Sequence, residues 1–470
     1  MEKIRESVSC QEIDPAPPNR RGMSKTRGAT LGTQAEEERI RMAIRHIGLI
    51  CPEISGHLNP MTTLGRELLR RGYRVSLLGI PDGQAKAVSA GLEFIPIGAI
   101  DSPLGSRAKF VAELGKLHGR AALRFTIERF REAGILQLRD IPDAVRAAEI
   151  DGLLIDQVSA PAATVAEYLD VPYVTICNAL AANYEDDVPP LVTSWPFRPT
   201  PLGRCRNRLG YAVLDHTLEP VRRLISDQRL AWGMSALPPG EPSYSPLAQI
   251  AQQPAVFDFP RKGLPPWFHY TGPFHDERSG DFIDFPYERL TGAPLIYASM
   301  GTLQNRQDRV FHTIAAACAG LPAQLALSLG NPHQTALPDL PGSPLVVPYA
   351  PQLELVKRSA LVITHAGLNT VLETLSQGVP MVAIPITNDQ PGVAARLAWL
   401  GAGQVVPLAG LHADRLRTVV QKALSDPRYR ERARNVQRQF QALDGVRRAA
   451  DIAEQALDTR QPVLRTGGPL

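Results

Sequence analysis

Ile44 to Cys51 (IRHIGLIC) is a short, largely apolar run closed by Pro52, the pattern of a buried strand. A loop with Gly56 follows, then apolar residues at helical intervals from Leu58 to Arg71, a stop at Gly72, and a second buried strand at Tyr73 to Ile80 (YRVSLLGI). Strand, loop, helix and strand in that order form a βαβ unit, which implies a parallel sheet with helices on its faces. The alternation continues. Strands are predicted at 92–96, 152–156 and 172–177, and helices at 106–148, 160–168 and 205–231, with a Pro- and aromatic-rich loop over 183–201. Between Leu237 and Pro294 prolines cluster, which suits a connection with short strands. A second series then begins, with strands at 294–299, 324–328, 345–348, 361–364 and 381–385. Its helices are predicted at 309–319, 369–377, 391–400 and 413–424, and one long Arg-rich helix at 427–457. Two doubly wound α/β halves facing a cleft is the economical architecture, with ligands at the carboxyl ends of the strands.

Composition narrows the classes. The 470 residues are 44% hydrophobic and 21% charged, ordinary globular values. A net charge of +4 is too small for a nucleic-acid binder. The five cysteines are scattered without CxxC spacing, so no disulfide framework or zinc knuckle is indicated and a reducing, cytoplasmic setting is expected. No uncharged apolar run is long enough to span a bilayer as a helix. Residues 1–41 are polar and mixed in charge, lack an apolar signal core, and are expected to be a disordered leader. The expected division is this leader, a first half at 42–236, a linker at 237–293, a second half at 294–450 and a tail at 451–470.

The phosphate-binding loops GxxxxGK[ST] and GxGxxG are absent, as is Asp-x-Asp, so a diphosphate would have to be neutralised without a metal held that way. Thr364-His365-Ala366-Gly367-Leu368-Asn369-Thr370, between an apolar strand and a helix, could neutralise one. Free amides and the positive end of a helix dipole favour an anion there, and Gly367 permits close backbone approach. The same residues also suit an ordinary capped turn. Glu373 lies one helical turn past Asn369, where a carboxylate can accept from a ribose diol. Asp389-Gln390, Tyr349-Ala350-Pro351-Gln352 and Gly301-Thr302 follow other strands toward the same edge. In the first half, His57 in Gly56-His57-Leu58-Asn59-Pro60 follows the first strand and Asp156 ends the strand at 152–156. Each read alone suits a packed or capping residue; together they suit a general base and the carboxylate that orients it. Asp151 is the weaker rival, because it precedes its strand.

Residues Tyr349 to Gln390 resemble the donor signature of the UDP-dependent glycosyltransferases: aromatic-x-Pro-Gln, His-x-Gly-x-Asn-Thr, a Glu eight residues after the His, Gly-Val-Pro and Asp-Gln. The resemblance implies the GT-B fold and an inverting, metal-independent transferase with a UDP-sugar as co-substrate and no cofactor. It implies that Tyr349 and Gln352 meet uracil and Glu373 the ribose. By the same resemblance His365, Gly367, Asn369 and Thr370, with Thr302, meet the diphosphate, and Asp389 and Gln390 the sugar. His57 and Asp156 match the family's catalytic pair. The family's usual Trp is Tyr349 here. The final helix is expected to cross back onto the first half.

For the acceptor, Phe110, Val111, Leu114, Leu117, Phe125, Ile127 and Phe130 lie at roughly helical spacing among Lys and Arg, and two readings stand: a core-facing helix or peripheral contact with an anionic membrane. Trp195-Pro196-Phe197 suits either an acceptor pocket or a core cover. Gly152 to Gln157 (GLLIDQ), Ser245 to Ile250 (SPLAQI), Phe257 to Lys262 (FDFPRK), Tyr297 to Gln304 (YASMGTLQ), Asp389 to Ala394 (DQPGVA) and Gln461 to Leu464 (QPVL) resemble the bacterial zeaxanthin (carotenoid) glucosyltransferases. That branch implies UDP-glucose as donor and a hydrophobic, hydroxylated acceptor. Transfer to soluble aglycones such as flavonoids or macrolides, and non-catalytic UDP-sugar binding, are the alternatives. The sequence assigns no oligomeric state.

Overall fold

The computed structural model describes residues 45–114, 117, 119–238, 243–275, 283–301, 308–330 and 339–465. Thr302 and the 1–41 segment therefore lie outside the described residues. The first half runs β1 (His46–Ile50), α1 (Ser55–Arg70), β2 (Arg74–Gly79), α2 (Gln84–Ser89), β3 (Glu93–Pro96), α3 (Ser106–Leu114), α4 (Gly119–Ala147), β4 (Gly152–Asp156), α5 (Ala160–Tyr168), β5 (Tyr173–Cys177) and α6 (Pro201–Ala231). Two short strands follow, β6 (Gln249–Ala251) and β7 (Phe268–Tyr270). The second half runs β8 (Leu295–Ser299), α7 (Asp308–Cys318), β9 (Gln324–Ser328), β10 (Leu345–Val347), α8 (Gln352–Arg358), β11 (Ser359–Thr364), α9 (Leu368–Ser376), β12 (Met381–Ala383), α10 (Gln390–Leu400), β13 (Gly403–Val405) and α11 (Ala413–Ser425). It closes with α12 (Pro427–Gln441) and α13 (Gly445–Thr459).

The strands form two sheets, in the orders β3-β2-β1-β4-β5-β6-β7 and β10-β9-β8-β11-β12-β13. Every pairing is parallel, and β1, β4, β5 and β8 are buried along their whole length, which is why they read as unbroken apolar runs. In each sheet the strand order reverses beside the first strand of that half. The crevice outside such a reversal is where ligands bind in open α/β sheets. His57 follows β1 and Asp156 ends β4, adjacent strands in which Ile50 pairs with Ile155. In the second sheet Gly301 follows β8 and His365 follows β11, adjacent strands in which Ser299 pairs with Thr364.

The short strands expected within 237–293 are β6 and β7, and they extend the first sheet. Two expectations need correction. The long terminal helix is two helices, broken at 442–444, where the Asp444 side chain caps α13 by accepting from the Arg447 amide. Gly445 also permits the break, because a Cβ there would sit 2.5 Å from the Gly272 carbonyl oxygen. The helix after β1 starts at Ser55, ahead of the expected Leu58, and so includes His57 in its first turn.

Helix α13 packs on α1, and Ala449, Ala450, Ala453, Ala456 and Leu457 are buried with Leu154, Val174 and Ile176 of the first sheet. The two halves are also joined by a buried ion cluster. Asp258 accepts from Arg261 Nε at 2.8 Å and from Arg396 Nε, on α10, at 2.7 Å. Arg396 lies over the Phe259 ring, which stacks on Phe197 and meets Trp399 edge-on. Phe197 thus covers the junction between halves, and the Trp195-Pro196-Phe197 loop is a core cover.

Candidate active site

A continuous cleft of about 2340 Å³ lies between the halves and is lined from both sides. On the first side, His57 Nδ1 is 2.6 Å from Asp156 Oδ2. With Nδ1 held by the carboxylate, Nε2 is the ring atom left for a ligand's hydroxyl. Asp156 is itself fixed, accepting from the Val158 amide at 3.0 Å and from Asn178 Nδ2 at 2.7 Å. Burial works against the imidazolium, but the charge and hydrogen bond of Asp156 and the charge of Asp389 outweigh it and hold His57 above its ordinary value. Asp151 is occupied at the opposite strand ends, accepting from the Arg45 and His46 amides.

Pro60 shapes the start of α1. It has no N–H to offer the carbonyl four residues back, so the Gly56 oxygen is left without its helical donor. Asn369 Nδ2, from the second half, donates to it at 3.0 Å.

On the second side, Ala366 takes φ +66° and Gly367 caps α9, turning the chain sharply from β11 into the helix. The His365 ring lies between two glycines. A Cβ at Gly301 would sit 2.6 Å from its Cε1, and one at Gly367 2.5 Å from its Nε2. Burial pushes His365 down to about 4, so the ring is neutral and its protonated form is disfavoured until an anion arrives. Gln352 Nε2 donates to Glu373 Oε2 at 2.5 Å and to Thr370 Oγ1 at 3.2 Å. Burial pushes Glu373 up to about 7, and the Gln352 bond offsets only part of that. Tyr349 stands at the same end of the cleft, 37% exposed.

Asp389 and Gln390 reach the cleft at the start of α10. Asp389 accepts from the Leu180 amide at 3.3 Å across the two halves. Burial raises it, partly offset by that amide and by His57. The Gln390 oxygen accepts from the Ile386 and Thr387 amides, so Nε2 is the end left for a ligand. Of the described site residues named from the sequence, all but Asp156 line one cleft, and Asp156 is buried behind His57, which does. Among the described residues, no group of three or more His, Cys, Asp or Glu is placed to hold a metal ion.

The apolar stripe at 110–130 has a placement that neither reading offered for it named. Phe110, Leu114, Phe125, Ile127 and Phe130 line the cleft, with Phe110 stacked on Phe125 at 5.8 Å between ring centres. They make the first half's side of the cleft an apolar chamber.

Residues 247–441 match the family model described as UDP-glucoronosyl and UDP-glucosyl transferase. A zeaxanthin glucosyltransferase of Pantoea ananas is 30% identical over 427 residues, covering 90% of this chain and 98% of that one. The chain belongs to this UDP-glycosyltransferase family. A second zeaxanthin glucosyltransferase, from Pseudescherichia vulneris, is 28% identical over 88% of this chain and 98% of its own. Among solved structures, the kitacinnamycin glycotransferase matches with a TM-score of 0.69 at 25% identity over 88% of this chain and 99% of that one. The calicheamicin glycosyltransferase matches in fold with a TM-score of 0.67, at 23% identity over 89% of this chain and 100% of that one. This UDP-glycosyltransferase thus has the GT-B architecture.

Asn178 and Gln252 were not legible as site residues of this transferase. Asn178 directly follows β5, a carboxyl-edge position that could have raised it; Gln252 holds the same position after β6, a strand the sequence does not locate.

Proposed function

We propose that the protein transfers glucose from UDP-glucose to a hydroxyl of a hydrophobic, carotenoid-like acceptor, inverting the anomeric centre. The observation that carries the reading is the 2.6 Å His57–Asp156 pair facing the donor motif across one cleft. The acceptor hydroxyl gives its proton to His57 Nε2 as its oxygen bonds to the anomeric carbon, and the carbon–oxygen bond to UDP breaks on the opposite face. A single displacement of this kind inverts the centre. Asp156 stabilises the imidazolium formed, as the carboxylate of a triad does. The amides at the start of α9, with His365 and Thr370, receive the diphosphate's growing charge. Glu373 takes the ribose diol, Tyr349 and Gln352 the uracil end, and Asp389 and Gln390 the glucose hydroxyls. Thr302 is assigned to the diphosphate on the family motif alone.

The lean toward a carotenoid acceptor is supported by the two zeaxanthin glucosyltransferase relatives and by the Phe110–Phe125 chamber. Asp101 and Ser102 line the cleft edge, and Ile100 and Leu104 beside them are 95% and 77% exposed. Such an apolar edge, next to Lys109, supports peripheral contact with the cytoplasmic face of a membrane holding the acceptor. Among the described residues no helix is long and apolar enough to cross one.

The test is UDP release from UDP-glucose with no acceptor, with zeaxanthin in detergent micelles, and with a flavonol. Zeaxanthin-dependent release is expected. Release with the flavonol alone would retain the transferase and replace the acceptor class. Turnover unchanged by His57→Ala would remove the mechanism.

A further inference from the structure

Two residues outside every motif connect the first-half dyad to the donor-side helix. Asn178 Nδ2 donates to Asp156 Oδ2 at 2.7 Å, the same oxygen that meets His57 Nδ1. Gln252 is 1% exposed and is absent from the cleft wall, so it touches no substrate. Its Nε2 donates twice, to the Asn178 carbonyl at 2.6 Å and to Asn369 Oδ1 at 2.8 Å. Asn369 in turn donates to the Gly56 carbonyl at 3.0 Å, the one released by Pro60, and Gly56 precedes His57. The hydrogen bonds therefore close a ring through His57, Asp156, Asn178, Gln252, Asn369 and Gly56.

The orientation of Gln252 within this ring is forced. A backbone carbonyl can only accept, so the NH₂ must face Asn178. Asn369 has its own NH₂ committed to Gly56 and so offers its oxygen to the second hydrogen. Both hydrogens of one amide are thereby spent on acceptors from opposite halves of the molecule. In a buried site an NH₂ with both hydrogens paired ties its two acceptors to each other.

We propose that Gln252 is a positioning residue that holds the general base in register with the donor site. Through Asn178 it fixes the Asp156 carboxylate that aims the His57 ring. Through Asn369 it fixes the main chain at Gly56 and the start of α9 together. The proposal rests on His57 being the base. A base placed within a few tenths of an ångström of its working geometry is what separates productive from idle complexes.

The test compares Gln252→Leu and Gln252→Glu with wild type, measuring kcat, KM for UDP-glucose, UDP affinity by calorimetry, thermal melting and the pH profile of transfer. Gln252→Leu removes both donors and is expected to lower kcat by about 10- to 100-fold, with KM and UDP affinity within about threefold because the residue meets the donor only through Asn369. Gln252→Glu keeps the shape but has a hydrogen to donate only when protonated, and burial raises its pKa. Its activity relative to wild type is expected to rise as pH falls, although wild type loses activity in that direction. A ratio flat across pH, an unchanged kcat in Gln252→Leu, or a kcat loss matched by equal losses in UDP affinity and melting temperature would overturn the proposal. If Gln252→Leu does not fold, the pH ratio of Gln252→Glu still decides. Wild type that transfers normally while His57→Ala does too would instead remove the reading on which the proposal stands.

Discussion

Asp156 reaches His57 from the neighbouring strand of the first sheet, Oδ2 to Nδ1 at 2.6 Å, so two chain segments 99 residues apart share one proton-handling unit. Removing the base by His57→Ala is expected to lower kcat by about 10²- to 10⁴-fold, the usual worth of a positioned general base, and to leave UDP affinity within about threefold. Steady-state kinetics alongside calorimetric titration with UDP checks both halves of that statement.

The same pair fixes a pH dependence. The base must be neutral to accept a proton, and its pKa is held above the ordinary 6.5 by Asp156 and Asp389 against burial. Transfer therefore falls on the acid side with a midpoint above that value. Asp389→Asn removes one of the raising charges, so its acid midpoint is expected to move to lower pH even though overall turnover drops. A midpoint that stays in place or moves up would contradict the assignment.

Glu373 makes nucleotide binding a proton-linked event. In the free protein its pKa is raised from 4.5 to about 7, so this group favours the folded state below pH 4.5 and that contribution is lost as pH rises through about 7. A ribose diol donates hydrogen bonds only to the ionised carboxylate with full effect, so UDP binding should expel the proton. Calorimetry near pH 6.5 in buffers of different ionisation enthalpy is expected to show proton release in wild type beyond any in Glu373→Gln, the variant correcting for UDP's own phosphate.

Gly367→Ala separates sterics from backbone strain. Gly367 has φ −61°, which any residue tolerates, so the variant's only cost is a Cβ 2.5 Å from His365 Nε2. The ring must move, and UDP affinity is expected to weaken by about tenfold, about 1.4 kcal/mol. Gly301→Ala adds a backbone cost of about 1–2 kcal/mol for its left-handed φ of +76° and should be the worse of the two.

Arg396 tests the junction between halves. Arg396→Leu leaves the buried Asp258 with one cationic partner, Arg261, beside the Tyr270 hydroxyl and the Phe259 amide, and is expected to cost about 3 kcal/mol of stability by denaturant unfolding. Because the contact holds α10, donor affinity should fall as well.

The donor half of the site was legible because its residues cluster in sequence. His365, Gly367, Asn369, Thr370 and Glu373 fall within a single strand–turn–helix, where spacing alone sets their geometry. His57 and Asp156 were legible only as strand-edge positions. Gln252 was not, since its bonds reach 74 and 117 residues away, to Asn178 and Asn369. Short strands were expected between 237 and 294, but β6 and β7 could not be placed there: three residues among prolines carry too little periodicity, and the pairing of β6 with β5 and of β7 with β6 is what fixes them. The break before α13 was hidden because apolar spacing continues through it. Packing against Gly272 decides it.

Helix α13 supplies Ala449, Ile452, Ala453 and Leu457 to the core of a sheet whose first five strands end at Cys177. On the ribosome those strands emerge well before their covering helix, by an interval on the order of tens of seconds at ordinary rates of synthesis. Throughout that wait the nascent first half presents an apolar surface that the finished protein never exposes. Folding of this half therefore cannot be completed in step with translation. The chain closes its oldest core with its newest residues, and a stalled or shortened transcript would leave it open to chaperones and to aggregation.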